Sequence, residues 1–358
     1  MEKALEAAVE KVADMDDIEI QETDDDHHDH FPDMYNGSNV VVPPQHDVIP
    51  LTDEAIFAAE LVKMNAEQKH VYDLVKRYLV DPTNSQLKLF ISGAGGTGKS
   101  FLISLITNLV RTNEYGPGHD GVVLAAPTGV AALNINGQTL HRLFHLAVES
   151  GSVPSYAKLG AQMLQRMRDK FKNVEWIIMD EVSMVSYEVF KQIDRRLREC
   201  FDTEIPFGGK NIICVGDLFQ LEPVNGHCIY DAPRLFIGED NIWHSFSFLE
   251  LTANMRQGTD PLLKICNNLR EGNITTEDLE ILRTRELRDD DTSEHMKKMH
   301  EKFLGPELFA HEQAYGALSR ARTLSGVAIL QQDDTKLCQL PNAKVIVEIE
   351  RLRELLVH

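Results

Sequence analysis

From Ala55 onward the chain alternates short apolar runs with longer amphipathic stretches, the pattern of a parallel sheet whose two faces are both covered by helices. The apolar runs predict strands at Leu87 to Ser92, Val122 to Ala126, Trp176 to Met179, Asn211 to Val215 and Phe248 to Leu251. Between them, apolar residues recur at helical spacing and predict helices at Ala66 to Val80, Lys99 to Arg111, Val130 to Ile135, Tyr187 to Phe201 and Pro261 to Arg270. The fold class is therefore α/β, a parallel sheet flanked by helices. Near the end, Val345 to Leu356 again has apolar residues at helical spacing, and packing on its own domain is expected rather than service as a partner helix.

Residues 1–50 carry no such pattern. Acidic runs, Pro43 and Pro44, and few large apolar groups leave too little buried surface to offset the entropy of ordering, so an acidic disordered tail is predicted. The stretch from Asp24 to His30 contains metal-ligating residue types, but nothing nearby would fix a geometry, and it reads as a solvated polar tract.

Taken alone, the net charge of −20 over 358 residues argues against a polyanionic partner. It is unevenly placed: residues 1–50 hold fourteen acids against Lys3 and Lys11, a net of −12 that leaves −8 for the rest. Local basic clusters exist at Lys158 to Lys172 and at Arg195, Arg196 and Arg198, each readable as a binding stripe or as a solvated helix face. Five well-separated cysteines without C-x-x-C spacing argue against a disulfide framework or a zinc ribbon. The absence of a long apolar run argues for a soluble intracellular protein with no membrane partner.

The chemistry is concentrated at strand ends. Gly93-Ala94-Gly95-Gly96-Thr97-Gly98-Lys99-Ser100 is a full G-x-x-x-x-G-K-[ST] phosphate loop between a predicted strand and a predicted helix. Its glycines let successive N–H groups turn inward toward a polyphosphate at a positive helix terminus, with Lys99 reaching the β and γ phosphates and Ser100 holding Mg²⁺. Trp176 to Glu181 is an apolar strand ending in two acids: Asp180 for the metal, Glu181 to orient and deprotonate the attacking water. Gln220, after the next strand, is placed to sense the γ-phosphate. ATP and Mg²⁺ are the expected cofactors.

These segments, together with Ala126-Pro127-Thr128-Gly129-Val130-Ala131-Ala132, Gln138 to Phe144, Asp180 to Met184, Phe207-Gly208-Gly209, Gly216 to Leu221, Leu251 to Gln257 and Tyr315-Gly316-Ala317-Leu318-Ser319-Arg320-Ala321-Arg322, resemble the petite-integration-frequency (Pif-type) family of superfamily-one DNA helicases, rolling-circle transposon relatives included. The order is the family's order. The resemblance implies a RecA-like motor that hydrolyses ATP to move 5′ to 3′ on single-stranded DNA and open forked duplex, as a monomer, in DNA repair, recombination and telomere maintenance, with the nucleus or the mitochondrion as its setting. It further implies that Gln68 reads adenine, that Arg256 meets the γ-phosphate and that Arg320 is an arginine finger, a device worth about 10³ to 10⁵ in rate. Pro127, Thr128, Gly129, Thr139 and His141 match strand-contacting positions, which would bind phosphates and stack bases without reading sequence. That match accounts for His141 better than a metal site shared with His145.

The pattern breaks beyond Arg256. Only 23 residues separate Arg285 from Phe309, and 102 follow Arg256, while a single βαβ unit takes upwards of about 30 residues. The expected organisation is a tail (1–50), a RecA-like ATPase domain (51–257) and a truncated remnant of a second RecA-like domain (258–358). Glu312 stands where the family usually has glycine, Gly316 where it has a β-branched residue, and Glu222 interrupts a Leu-Pro-Pro run. Three functions stay open on the sequence: a helicase, an ATP-dependent single-stranded-DNA-binding module without unwinding, and a phosphate-loop NTPase unconnected with DNA.

Overall fold

The computed structural model describes residues 54–81, 86–113, 121–147, 155–236, 239–286, 302–304, 311–329 and 334–356. The acidic tail and its histidine tract lie outside them. In chain order the elements are α1 (Glu54–Leu61), α2 (Ala66–Val80), β1 (Lys88–Gly93), α3 (Lys99–Asn113), β2 (Val122–Ala126), α4 (Gly129–Asn134), β3 (Gln138–Thr139), α5 (Leu140–Phe144), α6 (Ala161–Phe171), β4 (Trp176–Met179), α7 (Tyr187–Phe201), β5 (Asn211–Gly216), β6 (Ser247–Leu251), α8 (Pro261–Arg270), α9 (Thr276–Arg283), β7 (Lys302–Leu304), α10 (His311–Leu318), β8 (Val327–Ile329), α11 (Asp334–Leu337) and α12 (Ala343–Glu354).

Six strands form one sheet in the order β3-β2-β4-β5-β1-β6, with every pairing parallel. The alternation of side chains along each strand divides the core in two. Phe90, Ile177, Met179, Ile212 and Cys214 face one layer with α5, α6 and α7. Leu89, Ile91, Trp176, Ile178, Ile213 and Val215 face the other, against α2, α3 and α4. Strands buried on both faces read as apolar runs, which is why β1, β2, β4 and β5 are visible in the sequence, while the edge strand β6 shows through Phe248, Leu249 and Leu251. β3 was not: with two residues it has no period to read.

A third, smaller core gathers Leu262, Ile265 and Leu269 of α8, Leu279 and Leu282 of α9, Ala314, Tyr315 and Leu318 of α10, and Val327 and Ile329 of β8. β7 and β8 pair in parallel beside it. The helix α10 contains Gly316, whose α-carbon has open space where a methyl group would stand.

The last helix, α12, places Val345, Ile349 and Leu352 in the α7 face of the main core. Its polar contacts are specific: buried Glu348 accepts from the Trp243 indole Nε1–H at 2.8 Å and from Arg351, Arg353 pairs with Glu250, and Lys344 pairs with Asp231. Asn342, its N-cap, donates to Glu222 at 2.7 Å, so the glutamate that interrupts the Leu-Pro-Pro run anchors this helix.

Two stability outcomes follow from these contacts. Glu348→Ala leaves the buried Trp243 N–H unsatisfied and should cost about 1–3 kcal/mol in urea unfolding followed by tryptophan fluorescence; an unchanged midpoint would refute the anchoring role. Gly316→Ala should stabilise by about 0.5–1 kcal/mol in the same measurement, because the methyl group meets nothing and the helix loses a flexible residue.

Candidate active site

Because all pairings are parallel, the strand ends lie along one rim, where open α/β sheets hold their ligands. Register fixes the neighbours: Thr139 beside Ala126, Ala125 beside Met179, Met179 beside Cys214, Ser92 beside Gly216, and Gly93 beside Leu251. From one edge to the other the rim carries Thr139 and His141, Pro127 to Gly129, the Asp180–Glu181 pair, Asp217, the phosphate loop, and the segment leading to Arg256.

The loop runs from β1 directly into α3, a 15-residue helix whose first-turn amides face it. Gly98 takes φ +83°, a left-handed conformation that a side chain would oppose. Lys99 Nζ donates to the carbonyls of Gly93 at 2.7 Å and Ala94 at 3.2 Å, so the ammonium lies within the loop. Gln68 is buried beneath it. As the third residue of α2 it completes a capping box with Asn65, and its Nε2 donates to Thr97 O at 3.0 Å. The residue matched to adenine reading thus also ties α2 to the loop.

Asp180 is buried at the end of β4. Burial and the neighbouring Glu181 charge push its carboxyl up to about 6, against the opposing pull of the Glu181 N–H and of Lys99. Glu181 takes φ +50°, ψ +44°, a left-handed backbone that costs a non-glycine residue about 1–3 kcal/mol and turns the chain sharply after the strand. Glu181 itself is half-buried.

Thr128 and Thr139 are N-caps of α4 and α5: their hydroxyl oxygens accept from Ala131 N–H at 3.2 Å and Arg142 N–H at 3.4 Å. Capping uses the oxygen and leaves the hydroxyl proton as a donor. His141 is partly buried, which lowers its pKa and favours the neutral ring. Of the two basic clusters, the one on α7 is consumed internally: Arg196 holds the carbonyls of Phe144, His145 and Ala157 and pairs with Glu199, Arg198 pairs with Asp194, and Arg195 with Glu239. The stripe reading is thereby removed for that helix. On α6, Lys170 donates to Gln138 at 3.1 Å and feels the charge of Arg142, which gathers positive charge beside Thr139.

Gln220 is half-buried on the turn after Asp217. Arg256 Nη1 donates to the Ser319 carbonyl at 2.7 Å, and Gln257 Nε2 to the carbonyls of Ser319 and Ala321. Arg320, next in sequence, is exposed. The third core thus presents its Tyr315 to Arg322 segment to the rim.

Sequence reasoning gave no role to Asp217, Arg270 and Tyr315. Asp217 is fully buried and receives Arg270 through Nε at 3.1 Å to both oxygens and Nη2 at 2.9 Å, with the Tyr315 hydroxyl donating at 2.8 Å. Burial alone would raise the Asp217 carboxyl; Arg270, then Lys99 and the phenol, outweigh it and hold it below the usual carboxylate range. The available signal was an acid directly after the glycine ending a buried strand, but its basic partner lies 53 positions away. Among the described residues no group of three or more His, Cys, Asp and Glu side chains is set to hold a metal by itself, and no helix is long and apolar enough to cross a membrane.

The PIF1-like helicase family model matches residues 63–278. The chain belongs to this family. An ATP-dependent DNA helicase Pif1 of Bdellovibrio bacteriovorus is 27% identical over 69% of this chain and 50% of its own length, and the human ATP-dependent DNA helicase PIF1 is 30% identical over 53% of this chain and 28% of its own. The chain thus spans about half, or less, of the curated family members it matches. A crystal structure of Bacteroides Pif1 bound to single-stranded DNA is 26% identical with a TM-score of 0.51, covering 67% of this chain and 53% of that one. Pif1 from Candida albicans, at 18% identity and a TM-score of 0.63 over 81% and 99% of the two chains, shares the fold. The RecA-like α/β architecture is that of the PIF1-like family.

The buried acid of this family member makes one prediction with a definite sign. Asp180 titrates at 3.8 when unfolded and about 6 when folded, so the native state binds the proton first, and that stability is lost as pH rises through 6. In metal-free buffer at neutral pH, Asp180→Asn should therefore raise the unfolding free energy by about 1–3 kcal/mol, with the gain vanishing below pH ~4. Urea titrations at the two pH values measure it, and a neutral-pH loss would contradict the burial argument.

Proposed function

We propose that this chain is a motor that hydrolyses ATP with magnesium and moves 5′ to 3′ along single-stranded DNA, opening forked duplex in DNA repair and recombination. One observation carries the reading: the loop with its enclosed lysine, the buried acid and the strand-contact segments stand on a single rim, with Asp180 between the loop and the Pro127–Gly129 turn. The residues fit the cofactor. Lys99, Ser100 and the loop amides other than that of Gly95, whose N–H meets the Tyr315 hydroxyl, would hold the phosphates, while Gln68 lies against the same loop. Asp180 and Ser100 would hold magnesium, whose positive charge relieves the cost of an ionised buried acid and offsets charge on the phosphates. Glu181, on the turn directly after Asp180, is the base for water, and Gln220, Arg256 and Arg320 serve the γ-phosphate.

Strand contact uses Pro127, Thr128 and Gly129 beside Thr139 and His141. The two capping hydroxyls donate to phosphates, and Lys170 with Arg142 supplies the positive field that backbone binding requires. Within residues 258–358 the third core acts as a shortened second domain that still delivers Arg320, while α12 packs back on the main core, and every proposed nucleotide contact comes from one chain, which supports action as a monomer. The nucleus is the proposed setting.

A 5′-tailed duplex assay tests the reading. With ATP and magnesium the protein should release the displaced strand, and Lys99→Ala should abolish both release and DNA-stimulated hydrolysis. Binding of single strands and ATP without release would instead support the DNA-binding module; hydrolysis indifferent to DNA would contradict both.

A further inference from the structure

We propose that Tyr315 is a positioning residue for the nucleotide: the chain Arg270–Asp217–Tyr315–Gly95 sets the phosphate loop from the third core before ATP arrives. The proposal rests on the nucleotide reading above and adds a part to it. The Tyr315 ring is buried, and its hydroxyl does two things at once, donating to Asp217 Oδ2 at 2.8 Å and accepting from the Gly95 N–H at 2.9 Å. A phenol that donates to a carboxylate becomes a better acceptor, and successive bonds in a buried chain strengthen one another. The carboxylate is kept ionised by the bidentate guanidinium of Arg270. Burial and the Asp217 charge raise the phenol, so it stays a neutral donor across the working pH range.

What the chain acts on is the outer limb of the loop. Gly95 is held on both sides of its peptide units, its N–H by Tyr315 and its C=O by Asn254 Nδ2 at 2.9 Å, while the Gly96 carbonyl accepts from Met255 N at 2.8 Å. A glycine-rich loop left free must be ordered when the phosphates bind, and that entropy weakens affinity; a loop ordered beforehand avoids the loss. Gly95 also has to be glycine for this contact, since a Cβ there would stand 2.6 Å from Ser319 Cβ and Oγ. The segment carrying Arg320 is therefore seated on the loop by the same residues that orient it.

The test uses the full chain with a fluorescent ATP analogue and magnesium, at a temperature where every variant is folded by circular dichroism. Tyr315→Phe keeps the ring in the third core and removes only the oxygen. It should weaken binding about tenfold relative to wild type. Leu282→Ala, a cavity in the third core away from the loop, should lower thermal stability and leave the affinity of the folded protein within twofold. Tyr315→Phe binding like wild type overturns the relay, as does Leu282→Ala weakening affinity equally, which would make any loosening of that core sufficient. Failure of the wild type to bind the analogue would overturn the nucleotide reading itself, and the relay with it.

Discussion

The constraint on which the molecule depends is the single direction of its sheet. β1 lies between β5 and β6, and each pairing is parallel, so the three strand ends emerge together and the loop after β1 is flanked by Asp217 on one side and by the approach to Arg256 on the other. Had β6 run antiparallel, its Leu251 end would lie on the far edge and Asn254, Met255 and Arg256 could not reach the loop. The candidate chemistry is a consequence of strand direction first and of individual side chains second.

Seated on that rim is a buried ion pair whose partners come from different layers. Asp217 belongs to the main sheet and Arg270 to the third core, and neither is tolerable alone: an uncompensated buried charge costs about 3–5 kcal/mol. The pair therefore fixes where the third core docks, and Gln257, Arg256 and Tyr315 then reach their partners without long-range search. Glu222 acts at a second point. A residue that departs from the family pattern holds the N-cap of α12, so the change has a structural use in this chain.

Much of this was legible in the sequence, and the boundary of legibility is physical. Long strands buried on both faces announce themselves as apolar runs, and the phosphate loop, Asp180–Glu181, Thr128 and Thr139 sit in local motifs whose spacing survives in one dimension. The two-residue β3 has no period, and the relay from Arg270 to Gly95 joins positions far apart in sequence. Tyr315 stood within a recognised motif, yet nothing local says that its hydroxyl bridges an acid and an amide. The basic stretch on α7 misled in the other direction: Arg195, Arg196 and Arg198 look like a stripe, but charge alone does not reveal that Glu199, Asp194 and Glu239 stand ready to pair with them.

Two features of the site oppose stability, and both are adjacent. Asp180 is an acid in a place where its ionised form is unfavourable, and Glu181 holds a backbone conformation that non-glycine residues avoid. Each costs free energy, yet each is confined to the turn between β4 and the following helix, with β2 and β5 on either side. A neutral residue or a glycine would relax the turn while removing the charge or its aim. Strain of this kind persists only where the surroundings over-determine it, and here the surroundings are the strands on either side of β4, both largely buried. The fold is stable enough around the acids to hold them in positions that neither would adopt alone.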